Sequence, residues 1–116
     1  ASCQMSNLIL VIEDNRMIRA MHSAGFSGFG YDVLEAASLQ EAEHLLCDGE
    51  QPDVVITSDE LQDGTADDVI DMVSTYLGHG QARTIVSSGH TSMAVSGADA
   101  VLCKPAGIIE MVDLIR

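Results

Sequence analysis

The stretch Leu8-Ile9-Leu10-Val11-Ile12-Glu13-Asp14 decides the fold. Its consecutive apolar residues, without the alternation of a half-exposed strand, are typical of a strand buried on both faces of a parallel sheet. The acidic pair Glu13-Asp14 follows directly, and a helix is expected to begin near Asn15. A buried strand that delivers two carboxylates to its C-terminal end indicates a divalent cation site.

Further short apolar runs alternate with stretches of helical period, which is the pattern of βαβ units in an α/β domain. The predicted strands are Leu8–Ile12, Tyr31–Ala36, Asp53–Thr57, Ala82–Ser87 and Ala98–Leu102. Predicted helices begin near Asn15, at the capping boxes Ser38–Glu41 and Thr65–Asp68, and at Gly107, the last running to Arg116. The segment His90–Gly97 leaves room for a fourth helix of only about two turns, so we expect this helix to be shortened.

Hydrophobic spacing assigns an inward face to each helix. On the first helix the residues expected to share one apolar face are Met17, Ile18, Met21 and Ala24, with the glycines from Gly25 onward ending the helix. On the last helix they are Ile108, Ile109, Val112 and Ile115. The methionines are interpreted as core residues and His22 as a surface or boundary residue. His44, His79 and His90 share no metal-ligand spacing.

Composition limits the classes of function. The 116 residues suffice for a single domain, with residues 1–7 expected to be a flexible lead-in. Lys and Arg total 5 against 18 Asp and Glu, and the net charge of -13 opposes binding to nucleic acid or to an anionic membrane surface. No apolar run approaches the about 18 residues of a membrane span. The three cysteines lack metal-binding spacing, so reduced thiols in a cytoplasmic protein are expected.

Several polar residues fall at predicted C-terminal strand ends, where an open parallel sheet has its functional crevice. They are Glu13, Asp14, Ser58, Asp59, Ser87, Ser88 and Lys104. Two carboxylates holding a hard cation would offset phosphoryl charge, a lysine would add a point charge, and a hydroxyl would bond one phosphoryl oxygen. Taken singly, each residue also fits a plainer role, as a helix cap, a solvated lysine or a turn residue. Their joint order along the strands favours a site.

Four segments resemble the receiver domain of bacterial response regulators. They are Leu8–Asn15, Pro52–Thr57, Ser87–His90 and Gly97–Pro105. The resemblance covers nearly the whole chain and implies a flavodoxin-like, doubly wound (βα)5 parallel sheet with strand order 2-1-3-4-5. It also implies that a sensor histidine kinase or phosphotransfer protein donates a phosphoryl group to an aspartate after the third strand, with Mg2+ bound nearby. By position, Glu13 and Asp14 match the metal-binding acids, Ser88 the switch hydroxyl and Lys104 the phosphate-contacting lysine.

The chain departs from the family pattern at the phosphoacceptor. Counted from Pro52 and back from Asp63, the acceptor position falls on Ser58, with Asp59 one residue later. A serine hydroxyl is neutral and forms no acyl phosphate. Because strand side chains alternate, Asp59 would point away from the site unless the strand bulges or the loop turns early. At the position of the family's aromatic switch residue, this chain has Val101. The short fourth helix would also reduce the usual output face.

Three functions remain open. The first is a receiver-like signal transduction domain of a two-component phosphorelay, with Asp59 as a substitute acceptor. The second is a non-phosphorylatable pseudo-receiver that acts as a protein-interaction module. The feature that distinguishes these two hypotheses is Ser58 at the acceptor position. The third is a flavodoxin-like cofactor binder, disfavoured because the loop after the first strand offers carboxylates to a phosphate.

The receiver hypotheses carry expectations about chemistry and partners. We expect no enzymatic activity beyond phosphoryl acceptance from a donor kinase. The expected partners are a sensor histidine kinase or phosphotransfer protein, and an output domain or protein target. The shortened fourth helix would remove part of a common dimer surface, so we predict a monomer.

Overall fold

The computed structural model of the protein describes residues 8–89, 97–104 and 107–115. The elements, in chain order, are β1 (Leu8–Ile12), α1 (Arg16–Gly28), β2 (Asp32–Ala36), α2 (Leu39–Cys47), β3 (Val54–Ser58), β4 (Glu60–Leu61), β5 (Gly64–Thr65), α3 (Ala66–Leu77), β6 (Arg83–Ser88), β7 (Ala100–Cys103) and α4 (Ile108–Ile115). No helix of this described part is both long and apolar enough to cross a bilayer.

The main sheet has five parallel strands in the order β2-β1-β3-β6-β7. Counting these long strands alone, the order is 2-1-3-4-5, so the prediction of a flavodoxin-like α/β sheet is confirmed. The strands β4 and β5 form a short antiparallel hairpin where a plain polar loop was expected. The predicted short fourth helix falls on residues 90–96, which lie outside the described residues.

The apolar run of β1 forms the centre of two cores, one on each face of the sheet. Leu10 and Ile12 face the layer of α2 and α3, whereas Ile9 and Val11 face the layer of α1 and α4. All four side chains are fully buried. Successive residues of a strand point to opposite faces, so only an uninterrupted apolar run satisfies both layers. This burial fixes the end of β1, and therefore the position of Glu13.

Polar residues start the first three helices. Asn15 accepts from the Ile18 amide at 3.0 Å at the start of α1, and Ser38 accepts from the Glu41 amide at 3.1 Å at the start of α2. Thr65 and Asp68 form a reciprocal capping box at α3. These caps satisfy backbone N–H groups that have no partner within a helix. The box predicted at Thr65–Asp68 is present, whereas at α2 the Ser38 cap forms but the Glu41 carboxylate accepts from the Ala37 amide, so the reciprocal half of that predicted box is not formed.

The inward face of α1 differs from the prediction. Met17 is 78% exposed and Met21 62% exposed, whereas His22 and Phe26 are buried. The face toward the sheet therefore follows the spacing Ile18, His22, Phe26, four residues apart. The prediction followed the methionines and missed that burying the Phe26 ring removes more apolar surface from water. His22, predicted to be a surface or boundary residue, is buried instead.

The helix α1 also extends past the glycine that was expected to end it, and runs through Gly25 to Gly28. Gly25 lies against the side chain of Ile108 on α4, so its missing Cβ allows the two helices to approach closely. On α4 the exposed Ile109 was wrongly placed on the inward face, whereas Val112 and Met111 are buried as predicted. Met72 and Met111 are core methionines, as expected.

Candidate functional site

Parallel pairing places the C-terminal ends of β1, β3, β6 and β7 side by side. Ser58 pairs with Ser87 across β3 and β6, and Ser88 pairs with Cys103 across β6 and β7. The Lys104 amide then continues the ladder by donating to the Ser88 carbonyl at 2.7 Å. This register gathers the residues that the sequence marked at strand ends.

Lys104 lies at the centre of the site. Its Nζ donates to Ser58 Oγ at 3.0 Å and to Glu13 Oε1 at 3.3 Å. The Glu13 and Ser58 residues are each 3% exposed, and the lysine side chain is 27% exposed. We call Lys104, Ser58 and Glu13 the lysine cluster. Because this ion pair is largely shielded from solvent, salt screens it less than a surface pair.

Glu13 and Asp14 do not act as a matched pair. Glu13 Oε2 accepts from the Asn15 amide at 3.0 Å, and the Glu13 carbonyl accepts from Arg19 Nη1 at 2.7 Å. Because Oε1 accepts from Lys104, both carboxylate oxygens of Glu13 have a hydrogen-bond partner within the protein. Asp14 is exposed. The two acids point into different surroundings, as expected for neighbours at a strand end.

Asp59 belongs to a second cluster, with Ser88. The Ser88 hydroxyl donates to Asp59 Oδ2 at 3.0 Å, and both residues are buried. The Asp59 amide donates to the Ser87 carbonyl at 3.1 Å, and the Asp59 carbonyl accepts from the Ala66 amide at 2.9 Å. Within the described parts of the chain, no ion pair joins Lys104 to Asp59. The predicted constellation is thus divided: Lys104 bonds Ser58, and Ser88, the predicted switch hydroxyl, bonds Asp59.

The hairpin that follows Asp59 is anchored to α2. Asp63 accepts from the amides of Leu39 and Gln40 at 2.9 and 3.0 Å. These two N–H donors hold the pKa of Asp63 below its usual range. Gly64 lies so close to Leu39 that an added Cβ would stand 2.7 Å from its Cδ2. No local sequence pattern indicated that Asp63 caps a helix more than twenty residues away.

His22 is a buried titratable group on the inward side of α1. It is 4% exposed, and its Nδ1 has no hydrogen-bond partner in the part of the chain that is described. Burial, together with the nearby charge of Lys104, lowers the pKa of His22. A neutral imidazole is therefore favoured beside the site. The spacing of Ile18, His22 and Phe26 was the available sequence signal for this burial.

The donor set, as arranged, does not fit the Mg2+ ion expected at Glu13 and Asp14. Among the described residues, no group of three or more His, Cys, Asp or Glu side chains is placed to hold a metal ion. A divalent ion at Glu13 Oε1 would meet the Lys104 ammonium on the same oxygen. Ser58 adds no charge to attract it. The arrangement instead balances one buried carboxylate against one ammonium.

Comparisons with known proteins identify the fold. No family model matches the sequence, and no curated protein matches it. Among solved structures, a response regulator receiver domain from Clostridium thermocellum is 25% identical, with a TM-score of 0.84 over 94% of this chain and 90% of that one. A CheY-like receiver domain from Methanospirillum hungatei is 20% identical, with a TM-score of 0.84 over 96% and 91%.

A third similar structure was solved in a modified state. This response regulator from Burkholderia pseudomallei, which carries a phosphorylated aspartic acid, a calcium ion and citrate, is 25% identical. Its TM-score is 0.81, over 95% of this chain and 66% of that one. The chain therefore has the fold of response regulator receiver domains.

Proposed function

We propose that this receiver-fold domain transmits a signal in a two-component pathway through protein contacts, without accepting a phosphoryl group at residue 58. The observation that carries the proposal is the position of Lys104 Nζ, 3.0 Å from Ser58 Oγ. Where the family pattern has an aspartate to take the phosphoryl group, the lysine here holds a neutral hydroxyl. The domain is then a pseudo-receiver that acts as a protein-interaction module.

The surroundings of Ser58 support this proposal. The residue is buried, and its hydroxyl oxygen accepts from the lysine ammonium, which is a proton donor and not a base. A serine nucleophile needs an adjacent base, and an ammonium that already donates to Glu13 and Ser58 does not supply one. The lysine cluster is therefore suited to hold the strand ends in a fixed arrangement.

The proposed partners are a sensor histidine kinase or a phosphotransfer protein, and an output domain or other protein target. The net charge of -13 supports protein partners over nucleic acid or anionic lipid. Cys47 and Cys103 are free and exposed, which supports a reducing compartment and hence a cytoplasmic location. The domain itself is proposed to have no enzymatic activity.

Beryllofluoride, a mimic of a phosphoryl group on a carboxylate, tests the proposal. Amide NMR spectra are recorded with beryllofluoride and Mg2+ on the parent protein, Ser58→Asp and Asp59→Asn. We expect no saturable shift in the parent and saturable shifts near Ser88 and Lys104 in Ser58→Asp. This result would mean that the scaffold is competent and that only the acceptor is missing. A saturable response in the parent would overturn the proposal.

A specific contact favours a second candidate, in which Asp59 is the acceptor. Its carboxylate lies 3.0 Å from Ser88 Oγ, the hydroxyl that matches the family's switch residue. Under this alternative, the parent responds to beryllofluoride and Asp59→Asn does not. Phosphorylation by a donor such as acetyl phosphate would then appear by mass spectrometry on Asp59.

A further inference from the structure

We infer that the Lys104 ammonium is the resident cation of this site and takes the place of a divalent metal ion at Glu13. The inference rests on the proposed function and states how the site of a pseudo-receiver is held together. It concerns metal binding alone, so it is tested without any phosphoryl donor.

The geometry leaves Glu13 without a free carboxylate oxygen. Oε1 lies 3.3 Å from Lys104 Nζ, and Oε2 accepts from the Asn15 amide at 3.0 Å. The residue is 3% exposed, so water does not replace either partner easily. A metal ion would have to displace the ammonium or share the carboxylate with this like charge.

The net charge of the lysine cluster also disfavours a metal ion at Glu13. A buried carboxylate needs a compensating charge or hydrogen-bond donors, and for Glu13 one ammonium balances the charge in full. With an aspartate at position 58 the lysine cluster would hold two negative charges and one positive charge, and a second cation would be favoured. With Ser58 the cluster sums to zero. The remaining acids do not change this balance within the cluster, because Asp14 is exposed and Asp59 bonds Ser88.

Hydrogen bonding explains why the lysine remains in place. An ammonium has three donors, and Lys104 places two of them on Glu13 and Ser58. The backbone of Lys104 is itself fixed by its 2.7 Å bond to the Ser88 carbonyl. The cation is thus attached to the sheet at its main chain and to two strand ends at its side chain.

Metal titrations of four proteins test this inference. The parent, Lys104→Met, Lys104→Arg and Arg16→Met are titrated with Mn2+, whose paramagnetism broadens nearby amide signals, and with Mg2+ in thermal melts. We expect no saturable broadening at Glu13 and Ser58 in the parent. Lys104→Met should show saturable broadening there, at an affinity at least about tenfold above the limit set by the parent titration, because a like charge beside the bound cation has been removed.

The variants separate local from general charge effects. Lys104→Arg keeps the cation and should behave as the parent. Arg16→Met removes an exposed positive charge from the start of α1 and controls for the change in net charge. Mg2+ should raise the melting temperature of Lys104→Met more than that of the parent, since the metal then compensates Glu13.

Two outcomes would overturn the inference. One is saturable Mn2+ broadening at Glu13 in the parent, which needs no variant and therefore stands even if Lys104→Met fails to fold. The other is a folded Lys104→Met that gains no affinity over Arg16→Met. If the parent binds Mn2+ but shows no response to beryllofluoride, this inference is wrong and the proposed function still stands. A beryllofluoride response would instead remove the proposed function.

Discussion

At the residue scale, the Ser88 hydroxyl and the Asp59 carboxylate form a buried hydrogen bond. It places a neutral donor against a buried carboxylate at 3.0 Å. We predict that Ser88→Ala lowers the free energy of unfolding by about 1–3 kcal/mol, because an acceptor is left unsatisfied in a buried position. Urea unfolding measures this change.

A double-mutant cycle identifies the partner. In an Asp59→Ala background the cost of Ser88→Ala should shrink, with a coupling of about 0.5–3 kcal/mol. Ser87→Ala is the matched control, since its side chain lies on the opposite face of β6. Equal costs of Ser88→Ala in both backgrounds would mean that Asp59 is not its energetic partner.

His22 makes stability depend on pH. Its folded-state pKa is lowered by burial and by Lys104, so the unfolded chain binds a proton more readily than the native protein does. Stability is therefore fully present above the unfolded pKa, near 6.5, and falls as the pH drops below it. We predict a decreasing melting temperature from neutral pH toward mildly acidic pH, measured by circular dichroism.

The titration of His22 is isolated by substitution. His22→Leu removes the buried imidazole and should flatten the pH dependence between neutral and mildly acidic conditions. His79→Gln, which changes an exposed histidine, should retain it. If the slope survives in His22→Leu, other groups carry the acid sensitivity.

The sequence predicted which residues gather at the site but not how they pair. Parallel strands end at one edge, so Glu13, Ser58, Ser88 and Lys104 had to lie near one another. Whether Lys104 bonds residue 58 or residue 59 depends on where the chain leaves the sheet. The hairpin after β3 sets that point, through long-range hydrogen bonds that no local pattern records.

At the element scale, Gly25 controls how closely α1 approaches α4. An added Cβ would overlap the side chain of Ile108. Gly28, on the same helix, has open space around it. Gly→Ala favours a helix by up to about 1 kcal/mol at either position. We predict that Gly25→Ala loses this gain and is destabilising by about 1–3 kcal/mol relative to Gly28→Ala.

Urea unfolding of the two alanine variants measures the difference directly, because their intrinsic helix propensities change in the same direction. In an Ile108→Ala background, where the overlap is already cleared, Gly25→Ala should cost less than it does in the parent. Equal stability of Gly25→Ala and Gly28→Ala would show that Ile108 moves aside without cost.

The order of the five long strands, and their bounds to within one or two residues, followed from the sequence because burial on both faces of a sheet favours apolar runs, whereas the β4–β5 hairpin did not. The rotation of α1 did not follow. Two rows of α1 are each spaced for one helical face: the methionines, and the row Ile18, His22 and Phe26. From sequence alone the methionine row was preferred, because the other row contains a polar histidine. In the structure the row that contains Phe26 is buried, and the His22 imidazole is buried with it. The packing of the Phe26 ring outweighs the cost of burying one polar group.

At the scale of the whole molecule, negative charge dominates. The chain has 18 acidic residues against 5 Lys and Arg. Within the described residues, two ion pairs are formed, Arg19 with Glu35 and Lys104 with Glu13. Most acids are therefore uncompensated by direct contact, and their mutual repulsion opposes the compact state.

The range of electrostatic repulsion depends on how the Debye length compares with the size of the molecule. The principal extents are 43, 29 and 24 Å, whereas the Debye length falls from about 30 Å at 0.01 M salt to about 8 Å at 0.15 M. At low salt, repulsion thus acts across the molecule, and at physiological salt only between neighbours. We predict that NaCl raises the melting temperature over this range. MgCl2 at matched ionic strength should give a similar rise, since Lys104 already compensates Glu13. A clearly larger rise with MgCl2, lost in Glu13→Gln, would reveal a specific metal site and contradict the resident-cation inference.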